Sequence, residues 1–304
     1  MSVAKRIKRS NKKAQMAYLL MCPPGLVWLV MFQLVPMGGI VMAFQNFIPR
    51  KGFLGSKFVG LEHFEYLFSL SEVWRVTGNT LIIACAKLVL LLVVPLCFAL
   101  MINRVKNVPF KKTVQTITYL PHFISWVILA NILSNMFAYD GIVNQVIVFF
   151  GGEASVLMGD AAFFRGLLIF SDVWKEFGFS SIIFLAALAG ISPQLYEAAA
   201  IDGANGCDQL IHITIPGISS TIVLVGVLSL GNVLNAGFDQ VYNMYNSLVM
   251  SSSDILDTWV YRMGMINMDF SLSTAVGLLK SVVSLILVTL SYVMAYKFSD
   301  YMIF

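Results

Sequence analysis

Charged residues are scarce in this chain of 304 residues, of which only 12% are Asp, Glu, Lys or Arg. Soluble domains carry about a quarter charged residues, whereas 58% of this chain is hydrophobic. A normally charged aqueous surface cannot be built from this composition, so we expect lipid to be the main solvent. The net charge is only +4, and no folded basic face is evident, which argues against nucleic acid as a partner.

Patterns typical of metal sites and enzymes are lacking as well. The four cysteines include no CxxC pair, and the three histidines lie far apart in the sequence. A zinc site needs three or four converging ligands, so we expect free thiols and no metal. The sequence contains no HExxH, GxSxG or GxxxxGK[ST] motif, which leaves an intramembrane enzyme and an ATP-binding loop without support.

Long hydrophobic runs, in contrast, are abundant. A run of about 20 apolar residues can cross the hydrocarbon core of a bilayer, and lipid-exposed backbone favours helices because they satisfy their own hydrogen bonds. We therefore predict an all-α polytopic membrane protein, with a basic tail over residues 1–15 and a single transmembrane domain over residues 16–304. The six predicted transmembrane helices are 16–44, 80–102, 114–136, 163–191, 218–238 and 272–296.

The basic residues predict which side of the membrane each loop occupies. The tail carries six Lys or Arg and no acid, and the loop after the second span carries four more: Arg104, Lys106, Lys111 and Lys112. Because Lys and Arg concentrate in cytoplasmic loops, we expect both termini and the loop between spans four and five in the cytoplasm. Four basic residues run against this pattern, since they would lie outside: Arg50, Lys51, Lys57 and Arg75.

The loop over residues 192–217 has the local signals of a helix–turn–helix elbow. Ser192 suits a helix N-cap and Pro193 the first helical position, while Glu197 and the alanines after it favour a short helix. Gly203 can adopt the left-handed conformation that ends a helix. These signals alone leave open whether the loop merely joins two spans or offers a partner a close approach with Glu197 as charged anchor.

The complete pattern of this loop resembles the EAA motif of permeases in binding-protein-dependent ABC importers. The matching positions are Glu197, Ala198, Ala199, Gly203, Ile213, Ile215 and Pro216, and Asp202-Gly203-Ala204 resembles the sugar-transporting branch. In that family the elbow is a coupling helix that docks in a cleft of the ATPase. The resemblance therefore implies ATPase-coupling roles for Glu197, Ala198, Ala199, Asp202, Gly203, Ala204 and Pro216. The loop has no Lys or Arg, so docking would depend on packing and on Glu197, Asp202 and Asp208.

The resemblance covers nearly the whole chain. The runs 235–246 and 254–258, with Tyr261-Arg262 after them, are similar to one branch of sugar permeases that imports complex oligosaccharides, including polyuronide fragments. This implies a type I ABC importer permease fold that works by alternating access, with ATP and Mg²⁺ bound by a partner rather than by this chain. The implied partners are a second homologous permease subunit, two ATPase subunits, an extracytoplasmic binding protein and the oligosaccharide.

Polar residues within the spans are candidates for the substrate path, because charge inside a bilayer is costly and often functional. The candidates are Asp172, Trp174, Lys175, Glu176, Phe177, Asn235, Asp239, Tyr242 and Asn243. Asp172 and Lys175 stand three residues apart, which suits an ion pair within one helix. Pairing between helices explains the charges of span four equally well. For Lys87 and Lys280 we favour pairing, or snorkelling to the interface, over a sugar path.

One alternative class remains open. An ion-coupled secondary transporter could use Asp172, Lys175 and Glu176 as its ion site, and it would need no ATPase partner. The sequence shows no internal repeat, which is weak evidence against that class because such symmetry is often invisible in a single sequence. Neither the charge total nor the aromatic content distinguishes a neutral glycan from a uronate.

Overall fold

Six helical spans build the described part of the chain. The computed structural model describes residue 16 and residues 18–231 and 233–299, so the predicted basic tail over residues 1–15 and the residues after 299 lie outside it. Three helices are each long and apolar enough to cross a membrane: Tyr18–Phe44 (span 1), Ser71–Arg104 (span 2) and Phe270–Ser299 (span 6).

The other three spans belong to bent helix pairs. Span 4 is the helix Ala161–Ala189, and its partner helix turns away from it by 66°. The three pairs are Val108–Phe123 with Trp126–Met136 (span 3, bent by 98°), Ala161–Ala189 with Pro193–Ile201, and Gly206–Gly217 with Ser219–Gly231 (span 5, bent by 57°). With each pair counted as one span the chain has six, as the hydropathy of the sequence predicts.

Short elements fill the connections between the spans. Two-residue strands pair antiparallel between spans 1 and 2, with Gln45 opposite Phe58. The strands are Gln45–Asn46 and Lys57–Phe58, and the short helices are Gly52–Gly55, Glu62–Ser69, Ile142–Phe149, Phe238–Met244, Met250–Ser253 and Leu256–Tyr261.

The elbow lies at one end of the bundle, which we call the elbow end. Because successive spans run in opposite directions, the connection between spans 2 and 3 lies there too. The guanidinium of Arg104, the last residue of span 2, accordingly donates a hydrogen bond to the carbonyl of Gly206 in the elbow. The other three connections lie at the opposite end, the far end.

Spans 2 and 4 pack along each other and form the centre of the bundle. Three apolar clusters follow this axis, represented by Val76 with Trp259 towards the far end, Ile83 with Phe164 in the middle, and Ala99 with Phe184 towards the elbow end. Span 1 contributes little to this core, since only 6% of its most apolar stretch is buried.

The connection between spans 5 and 6 is folded into the bundle. Its polar sequence predicts a long outer loop over residues 239–270, yet Gln240, Asp254, Ile255 and Trp259 are all at most 1% exposed. The side chain of Gln240 bonds to Lys87 of span 2 and to Leu168 of span 4, and the carbonyl of Asp254 accepts a hydrogen bond from Asn79 of span 2. These bonds compensate for the burial of those polar groups.

Two spans depart from the continuous helices that hydropathy predicts. Span 3 breaks between Phe123 and Trp126, after Pro121, which has no N–H to donate. Span 5 is predicted to reach residue 238, but its last helix ends at Gly231. That helix has 13 residues and is therefore about 20 Å long, short of a hydrocarbon core of about 30 Å. Non-helical backbone at membrane depth requires partners within the protein.

Candidate functional site

The first helix of the elbow, Pro193–Ile201, ends in a motif formed by its own backbone. Gly203 has φ +83°, a left-handed conformation that glycine adopts without steric cost. The N–H of Ala204 donates to the carbonyl of Ala199 at 2.9 Å, and that of Gly203 donates to Ala200 at 3.2 Å. These two bonds are the Schellman pattern. Ala199, Gly203 and Ala204 therefore fix the angle at which the chain leaves the helix.

The start of this helix is capped less well than the sequence predicts. Ser192 occupies the N-cap position and Pro193 the first turn, as expected, but the Ser192 side chain makes no capping bond. Its hydroxyl instead contacts the side-chain oxygen of Gln194. The first turn of this helix therefore lacks the N-cap hydrogen bond that Ser192 is expected to supply.

The second half of the elbow is tied to the first by side chains. Asn205 accepts hydrogen bonds from the N–H groups of Cys207 and Asp208, and Asp208 accepts one from Asn205, which makes a reciprocal capping box. The hydroxyls of Tyr196 and Thr214 lie 3.0 Å apart and join the two helices. Asp208 thus has a structural partner, whereas the sequence alone suggested it as a docking residue.

The elbow presents an exposed surface at the end of the bundle. Glu197, Ala198, Asp202 and Gly203 are all exposed. Leu195 and Ile201 are 53% and 87% exposed although they are apolar. Exposed apolar side chains among small and acidic residues are typical of a surface that a partner covers. Pro216 is also exposed; it lies just before the bend that leads into span 5.

Asp172 and Lys175 of span 4 each pair with another residue and not with each other. Asp172 Oδ2 lies 3.3 Å from Nζ of Lys87 in span 2. Lys175 Nζ instead lies 2.8 Å from Oε1 of Glu176. Asp172 and Lys175 point to different neighbours because residues three apart on a helix differ in direction by about 60°.

The break in span 3 is held by Lys175 and Glu176. Lys175 donates to the carbonyl of His122 at 2.8 Å, and Nδ1 of His122 lies 2.7 Å from Oε2 of Glu176. Trp126, the first residue after the break, has its ring 5.6 Å from the Lys175 ammonium, within cation–π range. Lys175 thus satisfies a backbone carbonyl at the bend, and Glu176 fixes the side chain of His122.

Lysines also hold the break in span 5, which comprises the described residues 233–237. Lys87 donates to the carbonyl of Ala236 at 2.8 Å and to the side chain of Gln240. Lys280 of span 6 donates to Asn235 Oδ1 at 2.8 Å and to Asp257 Oδ1 at 2.5 Å. The broken segment is thus bonded from span 2 on one side and span 6 on the other.

A cavity of about 680 Å³ lies between spans 2, 4 and 5 beside this break. Its charged lining is the pair Lys87 and Asp172, and the rest is largely apolar. The lining includes Lys87, Asp172, Phe179 and Asn235. A polar pair in an otherwise apolar cavity is the common composition of a ligand site.

Several sequence candidates lie elsewhere. Trp174 and Phe177 line a separate apolar cavity of about 410 Å³ on another face of span 4. Asp239, Tyr242 and Asn243 are exposed on the helix Phe238–Met244, where Tyr242 packs against Tyr261 with ring centroids 4.9 Å apart. Of the nine path candidates, the cavity brings together Asp172 and Asn235.

Comparisons with known proteins agree with this architecture. The polygalacturonan/rhamnogalacturonan transport system permease protein YteP of Bacillus subtilis (strain 168) is 43% identical over 97% of this chain and 93% of its own. Protein LplB of the same organism is 41% identical over 95% and 91%. No protein-family model matches the chain. The chain belongs to the carbohydrate ABC permease family.

A solved structure extends the comparison to the fold of the permease. The crystal structure of a bacterial ABC transporter involved in the import of the acidic polysaccharide alginate contains a chain that is 34% identical. It superposes with a TM-score of 0.87 over 97% of the permease and 99% of that chain. The predicted fold, an ABC importer permease with six spans, is confirmed, and the chain is a transport subunit and not an enzyme.

The permease carries a polar network at its far end that sequence reasoning missed. Asp254 is fully buried and lies 2.6 Å from Arg262, which also lies 3.3 Å from Glu72 of span 2. Burial lowers the pKa of Arg262, but the hydrogen bonds and charge of Asp254 outweigh it, and that pKa is raised above its usual value. Arg262 therefore stays cationic and fastens the connection between spans 5 and 6.

Two cavity residues were also missed as path candidates. Phe179 is not among the sequence candidates, and Lys87 is expected from the sequence to pair or snorkel. The spacing of Asp172 and Phe179, seven residues apart on one helix, places both on one face after two turns. That spacing was a usable signal, whereas the contribution of span 2 to the same cavity depends on packing that no local pattern encodes.

Proposed function

We propose that this permease is a membrane subunit of an ATP-driven oligosaccharide importer. Named relatives act on sugar polymers: polygalacturonan/rhamnogalacturonan for YteP, and alginate for the transporter of known structure. A further relative, AraP of Bacillus subtilis (strain 168), is named for arabinooligosaccharides and is 26% identical over 92% of this chain. The shared substrate chemistry among them is a chain of linked sugars.

The observation that carries the proposal is the exposed elbow between spans 4 and 5. Its two helices are tied by Tyr196 and Thr214, and it continues directly into both spans. A force applied at Glu197 therefore reaches two of the three walls of the cavity without an intervening flexible loop. This supports the elbow as the site where a separate ATPase subunit docks, with Glu197, Asp202 and the exposed Leu195 and Ile201 in the contact.

The charge of the elbow end supports its location in the cytoplasm. Arg104, Lys106, Lys111 and Lys112 belong to the connection between spans 2 and 3, at the same end as the elbow. Cytoplasmic loops are enriched in Lys and Arg. We infer that the elbow end faces the cytoplasm, as do both termini, and that the far end faces the outside.

The proposed assembly contains this permease, a second homologous permease, two ATPase subunits and an extracytoplasmic binding protein. The alginate transporter has been crystallised in complex with an alginate pentasaccharide-bound periplasmic protein. The far end, with its exposed Leu54, Phe58 and Leu61, is the surface that such a protein would meet. ATP and Mg²⁺ would be bound by the ATPase subunits.

The mechanism that follows is alternating access. Closure of the ATPase subunits on ATP would draw the elbow with it and move spans 4 and 5 relative to span 2. The cavity beside Lys87 and Asp172 would then open towards the far end and, after hydrolysis, towards the cytoplasm. The polar bonds at the breaks of spans 3 and 5 would preserve the shape of the bent segments during this movement.

Reconstitution tests the proposal directly. We expect the complete complex in proteoliposomes to accumulate an oligosaccharide when ATP is supplied on the side of the elbow. An ion-coupled transporter would instead accumulate the sugar with this permease alone under a proton or sodium gradient. Uptake that follows an ion gradient and ignores ATP would contradict the proposal.

A further inference from the structure

We propose that Asp172 is the specificity-determining acceptor of the cavity. In this role it binds the hydroxyl groups of a sugar ring that carries no free carboxylate. This inference rests on the proposed function, because it assumes that an oligosaccharide passes through the cavity. It goes further by naming the chemistry of the ring that lies against span 4.

The ammonium group of Lys87 is fully engaged by its neighbours. An ammonium group has three N–H donors. Lys87 directs one to the carbonyl of Ala236 at 2.8 Å and one to the side-chain oxygen of Gln240. Asp172 occupies the remaining direction at 3.3 Å. Lys87 therefore has no donor left for a passing carboxylate and acts as a positioning residue for Asp172.

Gln240 reinforces this arrangement from behind. Its side chain is fully buried and donates to the carbonyl of Leu168 at 2.7 Å and to Ser171 Oγ at 2.9 Å. With both donors used, its oxygen is directed at Lys87. If the ammonium left this position, the buried amide oxygen of Gln240 would have no hydrogen-bond donor. The ammonium therefore remains beside the break of span 5.

Asp172 has the spare capacity that Lys87 lacks. A carboxylate can accept about four hydrogen bonds, and among the residues that the structure describes its partner is Lys87. Its side chain is 16% exposed against 6% for Lys87, so it is the more accessible member of the pair. Ionised carboxylates accept strong hydrogen bonds, which suits two neighbouring hydroxyls of a sugar.

Phe179 provides an apolar surface on the same wall. It lines the cavity seven residues after Asp172, a rise of about 10 Å along span 4. Its ring lies parallel to that of His122 with centroids 4.0 Å apart, which fixes its orientation. An oligosaccharide along span 4 would thus meet Asp172 and then Phe179. The hydroxyl groups at the edge of a sugar ring suit the carboxylate, and the face of a ring suits the flat apolar side chain.

The charge of Asp172 decides between sugar classes. Lys87 offsets part of the charge of Asp172, but its N–H donors are engaged. A free carboxylate on the ring that Asp172 binds would therefore meet another acceptor of like charge and no donor, which is unfavourable in a poorly hydrated cavity. A neutral ring, or a uronate whose carboxyl is esterified, meets no such repulsion. The cavity therefore favours the uncharged ring at this position.

The test compares a uronate trisaccharide with its methyl ester, which has the same ring skeleton without the charge. Uptake is measured in proteoliposomes with the complete complex and a binding protein saturated with each sugar, as checked by separate titration. We expect the wild-type complex to transport the ester faster than the acid. In Asp172→Asn the ratio of acid to ester uptake should rise by about tenfold, the effect of removing one unfavourable charge contact.

Glu176→Gln is the matched control, because it neutralises a carboxylate one turn further along the same helix. The Glu176 carboxylate bonds His122 and Lys175. The acid-to-ester ratio of this variant should equal that of the wild type. Asp172→Ser replaces Asp172→Asn if the latter does not assemble. Equal ratios in the wild type and both Asp172 variants, or faster transport of the acid by the wild type, would overturn the inference. Failure of the wild type to transport any oligosaccharide when ATP is supplied would instead contradict the proposed function.

Discussion

The Nζ atom of Lys87 lies 3.3 Å from Oδ2 of Asp172, across the contact between spans 2 and 4. The same ammonium lies 2.8 Å from the carbonyl of Ala236 in the break of span 5. One side chain therefore joins three spans at the wall of the cavity. This relationship makes the pair both a structural element and a feature of the transport path.

The pair predicts an asymmetric effect of its two residues on stability. Lys87→Met leaves a carboxylate and the carbonyl of Ala236 without their donor in a buried site. Breaking a buried pair by removing one partner costs about 3–5 kcal/mol. We expect a clearly lower midpoint of thermal unfolding for the detergent-purified variant. Asp172→Asn should also lower the midpoint, because Lys87 loses its counter-charge, but by less, because the ammonium keeps Ala236 and Gln240 as acceptors.

The double variant Lys87→Met with Asp172→Asn is the control for this prediction. It removes the uncompensated charge and should recover part of the lost stability, leaving the cost of the unsatisfied carbonyl. Equal unfolding midpoints for Lys87→Met and the wild type would show that the pair does not hold the break of span 5.

Substitutions of Gly203 test whether transport depends on the backbone geometry of the elbow, without changing its charge. An added Cβ would meet no atom within 4 Å, so the expected effect comes from φ +83° alone. Left-handed backbone costs most residues about 1–2 kcal/mol, and Asn much less. We expect Gly203→Asn to retain uptake and Gly203→Val to lose most of it while both insert into the membrane. A bulky Gly203→Trp should also block docking, and undiminished uptake by that variant would count against the elbow.

Substitution of Glu197 should weaken the docking of the ATPase without lowering the stability of the permease. Its side chain is exposed on the elbow, so Glu197→Ala should leave the unfolding midpoint unchanged while it lowers both uptake and recovery of the ATPase in affinity purification. Asp208→Asn is the contrasting variant. It weakens the capping box, which is worth about 1 kcal/mol, so we expect a small fall in stability and milder transport loss. Equal recovery of ATPase with Glu197→Ala and wild type would exclude Glu197 from the contact.

Labelling of Cys207 reports which side of the membrane the elbow occupies. It is exposed on the elbow, whereas the other three cysteines, Cys22, Cys85 and Cys97, lie within spans 1 and 2. In a variant with those three replaced by serine, a membrane-impermeant maleimide should label inverted vesicles and leave intact cells unlabelled. Labelling of intact cells would place the elbow outside and reverse the assigned topology.

The elbow could be predicted from sequence because its signals are local. Ser192, Pro193 and Gly203 lie where the helix begins and ends, and the left-handed conformation of Gly203 follows from a steric rule that needs no tertiary partner. The capping box of Asn205 and Asp208 is also a local signal, and it was overlooked. Spans 1, 2 and 6 were predictable for a similar reason, since their hydropathy alone requires a spanning helix.

The breaks of spans 3 and 5 could not be predicted in the same way. A broken helix is tolerated in a membrane only where protein groups satisfy its backbone, and here the groups come from distant positions: Lys175 for His122, and Lys87 for Ala236. Hydropathy averages over such residues and extends the helix through them. The polar Asn235 and the flexible Gly237 within an apolar run were the available hint.

The docking of the elbow on the ATPase is tested most directly by a cross-link between the two. In a chain with all four native cysteines replaced by serine, Glu197→Cys should form a covalent product with a cysteine placed in the docking cleft of the ATPase. Leu54→Cys, which is fully exposed at the far end, serves as the control and should form none. We expect a cross-link for Glu197→Cys whose yield changes with bound ATP. An importer that transports its sugar while Glu197→Cys gives no more product than Leu54→Cys would contradict this docking.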